Sequence, residues 1–325
     1  MARATPSPSV GEPRFILILL ASTFLMGSSF VAGKILLTGG VPPMLLVGWR
    51  FLGAALATLP LIFLGRTSFL KVLLPPGMDR RQAGIVVVIG LLQTGAVMGL
   101  LFAAMQFISA STASILLFTN PILVAFLGWI FLGERLHRTR VGGLVVGVVG
   151  VALAIGVGPG LFAEGRVVMG EVIGLLAALC WAAATIVAKR SNLPLNAWSL
   201  SFWQMLVGSL ALLTYGYVTG ERWPDHLTSA QWGWFAWLTV PASTGSFGLW
   251  FVALSKGGAT RTSGYLFLVP LFTVVLAYVV LGAALTWLQA MGGLLVGFAL
   301  WLVNREIPIR TLHKRTNELR REDQP

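Results

Sequence analysis

Two long stretches of this chain, Gln82–Gly133 and Thr262–Asn304, contain no Asp, Glu, Lys or Arg. A transmembrane helix takes roughly 20 apolar residues, so each stretch holds two membrane spans joined by a tight turn. Composition points the same way. Only 10% of the 325 residues are charged and 56% are hydrophobic, against about 25% and 45–50% in soluble domains. The expected class is an all-α integral membrane protein. The period-two alternation of an outer-membrane barrel is missing from these runs.

Charges and turns, taken as boundaries, divide the chain into ten spans: approximately 15–37, 43–64, 82–107, 110–132, 141–158, 168–189, 196–218, 231–255, 259–282 and 286–304. The charge-free run Phe15–Gly33 is expected to be a span and not a cleaved leader. Lys and Arg set the orientation. With the N-terminus inside, the cytoplasmic segments hold Arg3 and Arg14; Arg66, Lys71, Arg80 and Arg81; Arg135, Arg138 and Arg140; Lys189 and Arg190; Lys256 and Arg261; and six basic residues of the tail. These are 19 of the 23 basic residues, whereas the outer loops hold Arg166 and Arg222 alone. Both termini are therefore expected in the cytoplasm. Trp129, Trp198, Trp223, Trp232, Trp287 and Trp301 fall near span ends, where an aromatic belt belongs. The net charge of +12 flanks apolar runs, so it reads as membrane topology and not as a nucleic-acid footprint.

The second half repeats the first at a shift of about 149–155 residues. Lys34 falls on Lys189, and Trp49-Arg50 falls on Trp203-Gln204. Ala110, Pro121 and Gly133 fall on Ala259, Pro270 and Gly282. Gly142-Gly143-Leu144 and Gly147 fall on Gly292-Gly293-Leu294 and Gly297. Each copy has five spans, an odd number, so the second copy enters the bilayer upside down. Inverted repeats are the mark of alternating-access transporters, whose two halves exchange conformations about a midplane site. The organisation expected is a cytosolic tail (1–14), a first repeat (15–158), a second repeat (168–304) and a cytosolic C-terminal tail (305–325).

Residues 110–133, running Ala-Ser-Thr-Ala-Ser-Ile-Leu-Leu-Phe-Thr-Asn-Pro-Ile-Leu-Val-Ala-Phe-Leu-Gly-Trp-Ile-Phe-Leu-Gly before Glu134, resemble the most recognisable segment of EamA-type members of the drug/metabolite transporter superfamily. Residues 259–282 resemble its second copy. The resemblance implies ten transmembrane helices in two inverted five-helix EamA repeats around a central cavity, with helices one to four and six to nine lining it. Gly133-Glu134 matches the family's Gly-Glu after helix four, but the second copy reads Gly282-Ala283 and lacks the acid.

Arg50 is the most informative single residue. It lies about seven residues into span two among apolar neighbours, and an ionisable side chain within a span marks a functional site by default. Its fork of donors suits a carboxylate or phosphate; the alternatives are snorkelling to headgroups and pairing with backbone carbonyls. Lys34, nearer a span end, is expected to snorkel. Gln93, Asn120, Gln204 and Ser246 are polar within spans and are candidate substrate contacts, as are Trp181, Trp250 and Tyr265, whose first-half equivalents are Met26, Leu101 and Leu116. Wet-cavity contacts and interhelical hydrogen bonds would satisfy the polar set equally well. Pro121, Pro241 and Pro270 each remove a backbone donor and are candidate hinges. Gly143-x-x-x-Gly147 and Gly293-x-x-x-Gly297 allow close helix packing, within the monomer or in a homodimer.

No catalytic residues, metal site or cofactor is expected. Cys180 stands alone, and His137, His226 and His313 fall in polar segments without ligand spacing. No phosphate-binding Gly-Lys-Ser/Thr loop occurs, so transport driven by ATP on this chain is excluded. The function expected is secondary, non-ATP transport of small metabolites in the cytoplasmic membrane, with the lipid bilayer and a small-molecule substrate as partners. The resemblance suggests efflux of amino acids or related compounds. The alternatives are a multidrug or cation exporter, a channel-like facilitator and a non-transport membrane protein. No Asp or Glu sits in the middle of a span, and Glu171 is read as interfacial, so facilitated diffusion or exchange is expected.

Overall fold

The computed structural model describes residues 13–63, 73–133, 138–155, 165–191 and 193–304. The two tails expected outside the spans, apart from Pro13 and Arg14, lie beyond these residues, as do Arg66, Lys71 and Glu134. Among the described residues every regular element is helical. Lipid offers the backbone no hydrogen-bond partners, so a spanning segment must satisfy its own N–H and C=O groups.

Ten helical rods follow one another among the described residues: α1 (Pro13–Thr38), α2 (Pro43–Phe63), α3 (Arg80–Ala104), α4 (Ala110–Leu132), α5 (Arg138–Ile155), α6 (Gly165–Ser191), α7 (Ala197–Val218), α8 (Ser229–Ser263), α9 (Leu268–Leu281) and α10 (Trp287–Asn304). Six of them, α1 to α4, α6 and α7, are long and apolar enough to cross a membrane, and shorter apolar stretches occur in α5, α9 and α10. The rods match the expected spans except at the junction of spans eight and nine. There α8 continues through Gly257 and Gly258 to Ser263, and a 3-10 turn, Gly264–Phe267, leads into α9. Glycine weakens a helix by only about 1 kcal/mol and does not by itself end one.

Local chemistry fixes the ends. α3 starts at a capping box in which Gln82 N–H donates to Asp79 (2.6 Å) and Asp79 N–H donates to Gln82 (3.2 Å). α8 starts at the equivalent box, Thr228 with Gln231. These two boxes satisfy otherwise orphaned first-turn donors reciprocally. α4 and α9 both end on a glycine in the left-handed region, Gly133 (φ 66°) and Gly282 (φ 64°), a conformation that side chains resist.

The interior of α3 and α8 is also matched. Each carries a π-helical turn, Leu91–Ala96 in α3 and Val240–Gly245 in α8. α4 breaks at Phe118-Thr119, where Pro121 re-enters the helix at its first turn and needs no N–H partner. Pro270 falls in the first turn of α9, after the 3-10 segment. Pro241 lies in the first turn of the π segment of α8. All three candidate hinges thus sit where the regular α-helical ladder is interrupted.

Packing repeats the same symmetry. α1 packs against α8 and α9, and α6 packs against α3 and α4. The equivalent helices α2 and α7 pack on each other, as do α5 and α10. This is the contact pattern of two copies related by a pseudo-twofold axis. In the α5–α10 seam, a Cβ on Gly150 would lie 2.8 Å from Val296 N and 3.0 Å from Gly292 O, and one on Gly147 would lie 3.4 Å from Ala299 and strike Ile122 of α4. Gly147 and Gly150 of α5 therefore sit at contacts within the monomer. Gly293 lies against Ile115, and Gly293 and Gly297 line an apolar groove together with Pro270.

Candidate functional site

The pseudo-twofold arrangement leaves a cavity of about 120 Å³ in the middle of the bundle. Its wall comes from α1, α2, α3, α4, α6, α8 and the 3-10 turn before α9. Both π turns reach it, through Gln93 on α3 and Ala242 on α8. The polar lining consists of Ser29, Arg50, Gln93 and Ser246, and aromatic and aliphatic side chains form the rest.

Arg50 is 3% exposed. Its Nε donates to Ser243 Oγ at 2.8 Å, and the Ser243 hydroxyl in turn donates to Leu238 O at 2.8 Å. The π turn presents that hydroxyl, which accepts from the guanidinium while donating to the carbonyl five residues back. Phe51 and Phe102 flank the charge, with ring centroids 4.6 and 5.5 Å from the guanidinium carbon. Cation–π attraction of this kind stabilises a desolvated cation by ~2 kcal/mol. The structure thus places Arg50 at the cavity, buried within the bundle.

Five of the candidate contacts converge here: Arg50, Gln93, Trp181, Ser246 and Trp250. Met26 and Leu101, the repeat equivalents of Trp181 and Trp250, line the same cavity, so at these two pairs of positions the second half alone supplies an aromatic. Three candidates lie elsewhere. Asn120 donates to Ala178 O at 3.4 Å in the α4–α6 contact. Gln204 is half-buried on α7, and its backbone approaches Gly90 of α3. Tyr265 packs with Trp250, Phe15 and Leu19 behind the cavity wall. An amide within a span can be satisfied by a neighbouring helix as well as by a cavity, and spacing along one helix does not separate the two cases.

Sequence reasoning passed over Phe30, Phe102, Phe118 and Phe247, which complete the wall. Phe118 meets Trp181 edge to face at 5.7 Å. A signal was present: Phe30 lies four residues after Met26 and Phe247 three before Trp250, so each shares a helix face with a position already singled out.

Two further ionisable residues make contacts or are buried in ways the sequence did not suggest. Lys34 does not reach outward: its Nζ donates to Met105 O and to Ile108 O (2.9 Å), binding α1 to the turn that follows α3. The orphaned carbonyls at a helix C-terminus attract a cation. α6 starts at Gly165, earlier than expected, which carries Glu171 into its second turn at 3% exposure, with Oε2 lacking a hydrogen-bond partner among the described residues. Neither residue lines the cavity.

Comparison with known proteins places this geometry. The sequence profile of the EamA-like transporter family matches residues 13–156 and 168–305. The chain is 25% identical to the uncharacterized transporter YoaV of Bacillus subtilis, over 87% of this chain and 94% of that protein. It is 26% identical to a WAT1-related chloroplast protein of Arabidopsis thaliana, over 91% of this chain and 71% of the relative. Protein PecM of Dickeya dadantii is 24% identical over 73% of this chain and 78% of its own length. A solved crystal structure superposes with a TM-score of 0.62 at 19% identity, covering 89% of this chain and 97% of that one, which shows a shared fold.

Proposed function

The chain belongs to the EamA-like transporter family, and from that membership we propose that it is a secondary transporter that moves a small amphipathic metabolite through the Arg50 cavity by alternating access. The single observation that carries this reading is Arg50 itself. A cation at the centre of a membrane helix costs about 2.5–3.5 kcal/mol, and a packing role would be served better by an apolar side chain. The charge is kept, buried, between both repeats, where a passing solute would meet it.

The supporting architecture is the doubled set of interruptions. Two π turns and two proline-bearing breaks occupy equivalent places in the two halves and border or approach the cavity. Such turns hold backbone groups away from the regular ladder and are frequent at functional sites. Ten crossings in two inverted repeats, both termini in the cytoplasm and a place in the cytoplasmic membrane complete the proposal. The resemblance to EamA exporters favours movement outward.

Counterflow tests the reading. The full chain is reconstituted in phosphatidylethanolamine–phosphatidylglycerol vesicles preloaded with extracts of candidate metabolites, and uptake of labelled compounds is followed. A carrier gives trans-stimulated uptake of at least one compound, and Arg50→Gln removes it while leaving the protein monodisperse. A channel gives uptake without trans-stimulation, which would replace this reading.

A further inference from the structure

Resting on the cavity as the transport site, we infer that its substrate is a compact monocarboxylate without an ammonium group, held end-on by the two terminal amino groups of Arg50. Charge is the first argument. Among the described residues Arg50 is the one charged side chain in the lining, and the other polar members, Ser29, Gln93 and Ser246, are neutral. An uncompensated charge in a dry site is expensive. A bound monoanion brings site and ligand together to zero. A zwitterionic amino acid leaves one positive charge in place, an amine leaves two, and a phosphate dianion leaves a net negative charge. Only the first fits a low-dielectric wall without a further counter-ion.

Donor geometry is the second argument. Nε is engaged with Ser243, and among the described residues the guanidinium makes no other hydrogen bond. Neither terminal amino group is sealed off as an unpartnered buried atom, and the side chain lines the cavity. What remains is a parallel pair of N–H donors, which matches the two oxygens of a planar carboxylate. The hydroxyl hydrogens beside it are already used. Ser29 donates to Met26 O at 2.7 Å, and Ser246 donates to Ala242 O at 2.8 Å. The cavity therefore presents one strong anion fork.

Size and wall chemistry are the third. The cavity of about 120 Å³ is somewhat smaller than an engineered apolar cavity of about 150 Å³ that takes benzene. Phe30, Phe118, Trp181, Phe247 and Trp250 offer ring faces and edges and little that a polar ligand body could bond to. A short branched aliphatic acid fits this volume and wall, and an aryl acid, a sugar or a long acyl chain does not. The expectation of amino acids is thereby narrowed to acids that lack the α-ammonium.

Calorimetric binding to the purified full chain tests the inference with four probes on one branched skeleton: isovalerate, leucine, isopentylamine and isopentyl phosphate. Isovalerate is expected to bind, and each of the other three about tenfold or more weakly. Arg50→Gln should weaken isovalerate by about tenfold or more, and Arg50→Lys by less, since a point charge keeps the attraction and loses the fork. Leucine binding as well as isovalerate, or no isovalerate binding at all, overturns the inference. So does an Arg50→Gln protein that keeps both its thermal stability and its affinity. Should Arg50→Gln fail to fold, the order of the four probes on the unaltered chain decides alone. Counterflow of the same probes separates this claim from the transport reading. Isovalerate that binds without counterflow removes the transport reading and supports the ligand class; counterflow of leucine without isovalerate keeps transport and overturns the class.

Discussion

Ser243 shows how one buried hydroxyl governs a charged site. It is fully buried, and its oxygen accepts from Arg50 Nε while its hydrogen serves Leu238 O. Ser243→Ala removes the guanidinium's partner and leaves a buried donor unmade, at a cost of about 1.5–3 kcal/mol for a charged group. Thermal unfolding in detergent should show that loss. The transport assay should show more: freed to rotate, Arg50 meets substrate in the wrong attitude, so KM rises while the maximal rate falls less. An equal fall in both would assign Ser243 to folding alone. Phe51 and Phe102 hold the charge from its other sides.

Individual helices are placed by contacts made far along the chain. Glu221, in the segment after α7, accepts from Leu45 N–H at 3.0 Å and from Met44 N–H at 3.4 Å, and so caps the first turn of α2. A carboxylate there satisfies two orphaned donors and complements the helix dipole. Because α2 carries Arg50, this cap also helps to set the depth of the charge. Glu221→Ala is expected to destabilise the protein by roughly 0.5–2 kcal/mol, and Glu221→Gln by less because it still accepts. Detergent melting curves of both variants check the order; equal losses would show that charge, and not the cap, is what α2 needs. The glycine seam between α5 and α10 works by the same logic of approach. No side chain fits at Gly150 without displacing the backbone at Val296.

The whole molecule is organised by charge outside and symmetry inside. The 19 to 2 division of basic residues predicts that the loops around Arg80 and Arg138 face the cytoplasm. Single cysteines placed there, in a Cys180→Ala background, should resist an impermeant thiol reagent applied to intact cells; labelling at position 80 from outside would reverse the topology. Energy coupling is also a property of the whole. No carboxylate lines the cavity among the described residues, and Glu171 is buried away from it. Substrate should therefore follow its own gradient. In vesicles with clamped membrane potential, an imposed pH gradient is expected to produce no accumulation. Accumulation that Glu171→Gln abolishes would make Glu171 a coupling site.

Sequence by itself determined the class, the rods and the doubling. Hydrophobic runs, charge asymmetry and a 149-residue shift are local or additive properties, and lipid forces each apolar run into a helix whatever its neighbours do. The paired glycines at 133 and 282 were visible as a repeat match, and the structure adds that both end a helix in the left-handed region. Tertiary structure decided which side of each helix is used. Asn120 and Gln93 are both amides within spans, yet one meets Ala178 O and the other the cavity. Lys34 and Glu171 were read from their distance to a span end; Lys34 instead answers to the turn packed beside it, and Glu171 is buried in the bundle. A side chain's partner is chosen by the crossing of helices far apart in sequence, such as the contact of α2 with the π turn of α8 that gives Arg50 its serine. Nothing in either segment alone contains that crossing.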